Sequence, residues 1–143
     1  MIIKTRHHGE AEISDDLIID FANGLPGFDE DKRFVVINDE ELGMFKLLQS
    51  IDDSEVCFFI IDGPVVFPEY NPLVEIEEMT ELGEYEPNDF SIYNIVKIPA
   101  DMKASTANLK APIVINNNAK KGKQIVCTNE EYTLRHPLFA EQG

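Results

Sequence analysis

The chain has 143 residues, 43% of them hydrophobic, and its 27 acidic and 12 basic residues give a net charge of −15. This apolar fraction argues against a disordered chain, and the length is enough for one domain with its own core, over residues 1–143. The charge disfavours direct binding to nucleic acid, whose phosphates would be repelled, and favours basic partners. No apolar run is long enough to span a bilayer, and the N-terminus lacks a secretory apolar segment, so we expect a cytoplasmic protein without a membrane partner.

The first half of the chain reads as a series of short strands. Apolar or alternating runs predict them at residues 1–5, 11–13, 17–21, 34–38, 44–49 and 57–62. Pro26 and Gly27 fit the two central positions of a type II turn, because proline fixes φ and glycine tolerates a positive φ. Residues 65–68 predict an edge strand, since the prolines that flank this run cannot donate to a central ladder.

One stretch, residues 71–83, has the periodicity of a helix, and we expect the helix itself over residues 75–82. Gly83 then serves as its C-terminal stop. The apolar residues that recur at every third position are Leu73, Ile76, Met79 and Leu82.

The same region is the most acidic part of the chain. No Lys or Arg occurs between Lys46 and Lys97, so nothing nearby in the sequence neutralises its carboxylates. They are Glu69, Glu75, Glu77, Glu78, Glu81, Glu84, Glu86 and Asp89.

Two further strand regions follow the helix. Residues 90–98 alternate between apolar and polar positions over a full strand length. Thr106 and Asn108 can cap an irregular loop through their side chains, and the unbroken apolar run at residues 113–115 predicts a strand buried on both faces. A second β run is expected at residues 124–128, after a hairpin loop in which Gly122 supplies the positive φ. The segment 132–139 is expected to dock over the end of the sheet.

These elements predict a mainly β, single-domain fold. Short strands at regular spacing, separated by turn signals, are typical of a closed or nearly closed β-barrel, here with one short helix. The side chains expected to be mainly buried are Cys57, Phe59, Ile61, Ile113, Ile115 and Ile125.

The sequence offers no motif for catalysis, a cofactor or a metal. A Gly-x-Ser-x-Gly elbow and a Cys-x-x-Cys pair are both absent. Gly122-Lys123 resembles part of a phosphate-binding loop, but Gln124 stands where that loop needs Ser or Thr, and a hairpin replaces the helix. We therefore expect a binding domain that is not an enzyme.

Five segments in order along the chain resemble the family of the flagellar assembly factor FliW. The most specific is Ser105-Thr106-Ala107-Asn108-Leu109-Lys110-Ala111-Pro112-Ile113-Val114-Ile115-Asn116, with Gly122-Lys123-Gln124-Ile125 after it. The others are Met1-Ile2-Ile3 leading to His8-Gly9, Gly24-Leu25-Pro26-Gly27-Phe28, Leu47-Leu48-Gln49-Ser50 and His136-Pro137-Leu138-Phe139.

The resemblance implies two protein partners. A FliW-like protein is expected to bind the C-terminal region of flagellin as a chaperone, and to bind the translational regulator CsrA, which relieves repression of flagellin synthesis. The acidic stretch suits a basic regulator, and an apolar groove or free sheet edge suits a flagellin helix. We expect the two partners to overlap on the helix region, with a shape change in the loop 105–110 as the alternative form of coupling. The candidate partner-binding residues are Glu69, Tyr70, Glu75, Glu77, Glu78, Glu81, Asn108 and Leu109.

Two other functions stay open on the residues alone. A small acidic β-barrel enzyme acting on a cationic substrate would need a deep pocket with perturbed titratable groups. An oligonucleotide-binding barrel would need aromatic residues beside a basic groove, which the charge balance opposes.

Overall fold

The computed structural model describes residues 1–139. Eleven short strands make up most of the regular structure: β1 (Ile2–Thr5), β2 (Gly9–Glu12), β3 (Ile19–Asp20), β4 (Arg33–Ile37), β5 (Phe45–Ser50), β6 (Cys57–Asp62), β7 (Phe90–Lys97), β8 (Thr106–Ala107), β9 (Ile113–Asn116), β10 (Lys121–Gln124) and β11 (His136–Pro137). Two short α-helices, α1 (Gly63–Val66) and α2 (Ile76–Thr80), lie between β6 and β7. Single 3₁₀ turns occupy Asp15–Leu17, Glu40–Leu42, Pro87–Asp89 and Met102–Ala104. None of the helices within residues 1–139 is long and apolar enough to cross a membrane.

Seven strands close into a barrel, as predicted. Their order around the ring is β7, β6, β5, β4, β3, β10 and β9, and β9 pairs with β7 again. The neighbours are antiparallel except β3 and β10, which run parallel and pair Asp20 with Lys121. Closure matters because it leaves these seven strands without a free edge. Outside the ring, β8 pairs with β7 and β11 pairs with β8, while β1 and β2 form a separate hairpin.

The two faces of the closed sheet bury different sets of side chains. Ile60 belongs to the cluster that fills the barrel interior, and its neighbour Ile61 belongs to a second cluster with residues from outside the ring. In β9, Ile113 and Ile115 face the interior and Val114 packs under α2, so this strand is buried on both faces as predicted. The interior cluster consists of Ile19, Phe21, Leu25, Phe34, Leu48, Ile60, Ile113 and Ile115.

The predicted edge strand at residues 65–68 is wrong, because this segment begins with helix α1. Pro64 stands in the first turn, where a missing N–H costs nothing. The Asp62 side chain caps the helix by accepting from the Val65 N–H at 3.3 Å. The two prolines that flank this run therefore belong to the start of a helix and to the chain just after it, and not to an edge strand.

The predicted strand at residues 124–128 begins too late. Strand β10 covers Lys121–Gln124, and Lys120, with φ 57°, makes the tight turn that had been expected of Gly122. Gly122 lies inside the strand opposite Ile115. Residues 125–127 follow the strand without belonging to it, but Ile125 and Cys127 are buried and donate to carbonyls of the loop before β9.

Several local predictions are confirmed, although the helix and the strand concerned are shorter than expected. Helix α2 lies inside the predicted segment, but it ends at Thr80 with Glu81 as its C-cap, so Gly83, with φ 88°, lies beyond the position expected of it. The strand expected at residues 17–21 is reduced to β3, because a 3₁₀ turn precedes it. Asn108 caps its loop by accepting from the Ala111 N–H at 2.9 Å.

Four of the six side chains expected in the core are buried. Ile61, Ile113, Ile115 and Ile125 are each at most 1% exposed. Cys57 and Phe59 are less completely buried than these four, but neither is exposed. Both lie on β6, where Phe59 faces the exterior and contacts His7 at a ring distance of 5.4 Å. Partial burial nevertheless raises the pKa of the Cys57 thiol to about 11.

Candidate partner-binding surface

The acidic helix region is partly neutralised by a lysine that is distant in sequence. Lys123, on β10, places its Nζ 2.5 Å from Glu78 and also binds Glu81. These carboxylates raise the pKa of Lys123 by hydrogen bonding to its ammonium group. No cation nearby in the sequence neutralises this stretch, as expected, but strand pairing brings a distant one in from the barrel.

Two predicted carboxylates of this region remain open to solvent. Glu75 and Glu77 are exposed and form no ion pair within residues 1–139. Ile76, between them, is 66% exposed at the start of α2. The helix thus presents an apolar side chain flanked by two negative charges, which suits a partner with complementary basic groups.

Tyr70 and Leu109 are core residues joined to each other. Tyr70 is 6% exposed and Leu109 is 3% exposed. The Tyr70 hydroxyl donates to the Leu109 carbonyl at 2.7 Å, and burial raises the pKa of that hydroxyl. Their main contribution is to hold the segment after α1 against the loop before β9.

Asn94 of β7 ties the same two segments to the barrel. It is fully buried, and its Nδ2 donates to the Tyr70 hydroxyl at 3.0 Å and to the Asn108 carbonyl at 2.9 Å. Its Oδ1 accepts no hydrogen bond from the described part of the chain and lies against Gly63, where an added Cβ would stand only 2.0 Å away. Only a glycine fits at this position. The first residue of α1 therefore packs directly against the buried side-chain amide of Asn94. The sequence pattern did not single out Asn94.

A cleft opens between α1 and the C-terminal segment. Its volume is about 340 Å³, and we call it the aromatic cleft. It brings together three of the predicted residues, Glu69, Tyr70 and Leu109, whereas the α2 carboxylates lie elsewhere. Its lining residues are Phe67, Glu69, Tyr70, Leu109, Glu131, Tyr132 and His136.

The walls of the aromatic cleft are two edge-to-face ring pairs. Tyr70 and Tyr132 have their ring centroids 4.8 Å apart, and Phe67 and His136 have theirs 5.1 Å apart. Such geometry is the favourable one for aromatic pairs. The docking of residues 132–139 was predicted, but Tyr132 and His136 were not named as site residues, because their role depends on where the segment lies against α1.

The described residues offer little to a metal ion. Within residues 1–139, no group of three or more His, Cys, Asp or Glu side chains is arranged to hold one. What the surface provides instead is exposed carboxylates and an aromatic cleft.

Comparison with known proteins gives one consistent family. Residues 2–138 match the profile of the family described as FliW protein. Flagellar assembly factors FliW from Thermoanaerobacter pseudethanolicus and Caldanaerobacter subterraneus are 40% and 39% identical to the chain, each over 99% of it and 95% of the relative. A crystal structure of the flagellar assembly factor FliW superposes with a TM-score of 0.92 at 35% identity and covers all of both chains.

Proposed function

Because the chain belongs to the FliW family of flagellar assembly factors, we propose that it works in the cytoplasm by binding two proteins in turn, flagellin and CsrA. The observation that carries this proposal is the full-length match in both sequence and fold. A resemblance confined to the barrel would support the fold alone, since one fold hosts many functions. Here the agreement extends through the helix region and the C-terminal segment.

The flagellin half of the proposal draws support from exposed apolar side chains around α2. Leu73, Ile76 and Val126 are 54%, 66% and 65% exposed. Leu73 and the end of the β10 segment are linked, because the Thr128 N–H donates to the Leu73 carbonyl at 2.7 Å. The C-terminal region of flagellin, with an apolar helix face unpaired before assembly, is the kind of ligand that such side chains can cover.

The CsrA half draws support from charge. The chain carries −15 overall, and Glu75 and Glu77, which pair with no cation within residues 1–139, present their carboxylates beside that apolar surface. Opposite charge on a partner speeds association and aligns the two surfaces. Export of flagellin would free this protein to bind CsrA and relieve repression of flagellin synthesis.

Regulation of this kind requires coupling between the two partners. If both bound independently, flagellin could not control CsrA however tightly each bound. We therefore expect bound flagellin to lower the affinity for CsrA. The test is to saturate the protein with a flagellin C-terminal peptide and then titrate CsrA by calorimetry. A ternary complex with undiminished CsrA affinity would refute the coupling.

The proposed role involves no catalysis. An activity screen against esters, phosphoesters and peptides tests this point. Turnover that copurifies with the protein and is lost in a Glu69→Gln or His136→Gln variant would instead support an enzyme acting on a cationic substrate.

A further inference from the structure

We propose that the aromatic cleft receives an arginine side chain from a segment of a protein partner. This inference rests on the proposed function only in taking the occupant to be part of a protein. It depends on three features of the cleft, namely its walls, its charge and the way its residues are held.

The walls suit a flat, cationic group. Phe67, Tyr132 and His136 are half-buried, so each shows part of its ring to the opening. Aromatic faces attract a cation through their quadrupole, and a planar guanidinium can also stack on them. The volume of about 340 Å³ lies at the small end of ligand pockets, of about 300–1,000 Å³. It suits a side chain better than a whole cofactor.

The charge of the cleft selects for a cation. Glu69 and Glu131 are both exposed at its rim, and none of the described lining residues is a Lys or Arg. A guanidinium offers five N–H donors in a fixed fork that matches carboxylate geometry, whereas a lysine ammonium offers one point charge. Stacking and carboxylate pairing together therefore favour arginine over lysine.

The cleft is also held in shape before any ligand enters. The Tyr70 hydroxyl is fixed between Asn94 and the Leu109 carbonyl, and the Tyr132 hydroxyl accepts the Asn71 N–H at 2.8 Å. Walls that are already ordered lose little conformational freedom on binding. Such preorganisation is what a site for one inserted side chain requires.

The proposal can be tested with a blocked tripeptide, acetyl-Gly-Arg-Gly-amide, titrated into the full chain and followed by two-dimensional NMR. We expect shift changes centred on the rings of Phe67, Tyr132 and His136. The same peptide with citrulline, the neutral isostere of arginine, should produce at least tenfold weaker binding. Replacing both rim carboxylates, in the Glu69→Gln, Glu131→Gln double variant, should weaken binding of the arginine peptide at least fivefold.

Matched variants separate the cleft from general charge effects. Glu30→Gln with Glu55→Gln removes the same two charges from exposed residues whose carboxylates accept no hydrogen bond from the described residues, and this variant should bind the peptide unchanged. Tyr132→Phe keeps the ring but loses the hydroxyl that accepts the Asn71 N–H, so it should weaken binding less than Tyr132→Leu, which removes the ring as well.

Equal binding of the citrulline peptide, or shifts centred on Glu75 and Glu77 instead, would overturn the proposal. Pull-downs with flagellin and CsrA make its failure distinguishable from failure of the proposed function. If wild-type protein binds both partners but not the arginine peptide, the cleft proposal alone falls. If the peptide binds the cleft and neither partner binds, the proposed function falls instead.

Discussion

Gly122 illustrates, at the scale of a single residue, how an absent side chain can decide the packing of a barrel. It is buried in β10, and an added Cβ would stand 2.5 Å from Cζ of Phe21, which is itself fully buried. The ring therefore lies directly against the strand backbone. Phe21 also packs edge-to-face on Phe34 at 5.1 Å, so it has little freedom to move aside.

A Gly122→Ala substitution should therefore destabilise the protein. Overpacking a close-packed core by one methyl group costs about 1–3 kcal/mol, and we expect a loss of that size in the free energy of unfolding, measured by urea denaturation. Lys121→Ala, at the exposed neighbouring position, is the control and should change stability by less than about 0.5 kcal/mol. Equal stability of Gly122→Ala and the wild type would show that Phe21 relaxes freely.

Helix α2 shows, at the scale of an element, that a five-residue helix depends on its attachments. A helix this short is unstable alone, because nucleation is unfavourable. Leu82, just beyond it, is buried with Val114 and Ile125. Asn116 of β9 donates from Nδ2 to the carbonyls of Leu82 and Glu84, at 2.9 and 3.0 Å. The β9–β10 hairpin and the residue that follows it thus stabilise the segment both by apolar packing and by hydrogen bonds.

Lys123 adds an ionic attachment whose effect should depend on pH. We expect Lys123→Gln to lower the free energy of unfolding by about 0.2–1 kcal/mol at neutral pH, since the ion pairs are partly exposed. The pKa of Lys123 is raised in the folded chain, so its contribution is complete below the ordinary lysine pKa of about 10.4. It is then lost as pH rises through the higher folded-state pKa.

The measurement is urea denaturation from pH 7 to pH 11, with Lys121→Gln as the control for loss of a lysine on the same strand. The difference between the wild type and Lys123→Gln should be constant up to about pH 10 and shrink above it. If the stability difference between the wild type and Lys123→Gln grew with pH, the assignment of a raised pKa to Lys123 in the folded chain would be wrong.

At the scale of the whole molecule, the net charge of −15 should steer basic partners toward the surface. Steering acts on the association rate, and it weakens as salt shortens the Debye length from about 10 Å at 0.1 M to about 3 Å at 1 M. The contribution of Glu75 and Glu77 can be separated from this general field, because both are exposed and free of ion pairs within residues 1–139.

We expect Glu75→Gln with Glu77→Gln to slow association with CsrA at low salt, measured by stopped flow, and to reduce the salt dependence of the rate. The double variant of Glu30 and Glu55 carries the same net charge and should retain most of the wild-type rate. If both variants slow association equally, the effect belongs to the total charge and α2 lies outside the interface.

The sequence predicted best what local patterns determine. The unbroken apolar run of β6 and the alternation in β7 predicted their strands closely, because burial of sheet faces imposes those periods. Local sequence patterns could not predict contacts between residues that are far apart in the chain. Lys123 meets α2 only because the barrel closes, and the aromatic cleft exists only where Tyr132 reaches Tyr70. Tyr70 and Leu109 were predicted to contact a partner, but both side chains are buried and reach solvent only through the aromatic cleft.

The parallel pairing of β3 with β10 has a consequence for how the chain acquires its shape. This pair closes the ring by joining Asp20 to Lys121, while β4, β5 and β6 pair only with the strands that directly precede and follow them in the chain. A ribosome can therefore release a meander of antiparallel hairpins early, but the ring stays open until residues 121–124 have emerged. Contacts of such long sequence separation are slow to form, so closure should limit the folding rate to the millisecond-to-second range of all-β domains. Until then β3 exposes an unpaired edge, and the nascent chain is most vulnerable to aggregation in that interval.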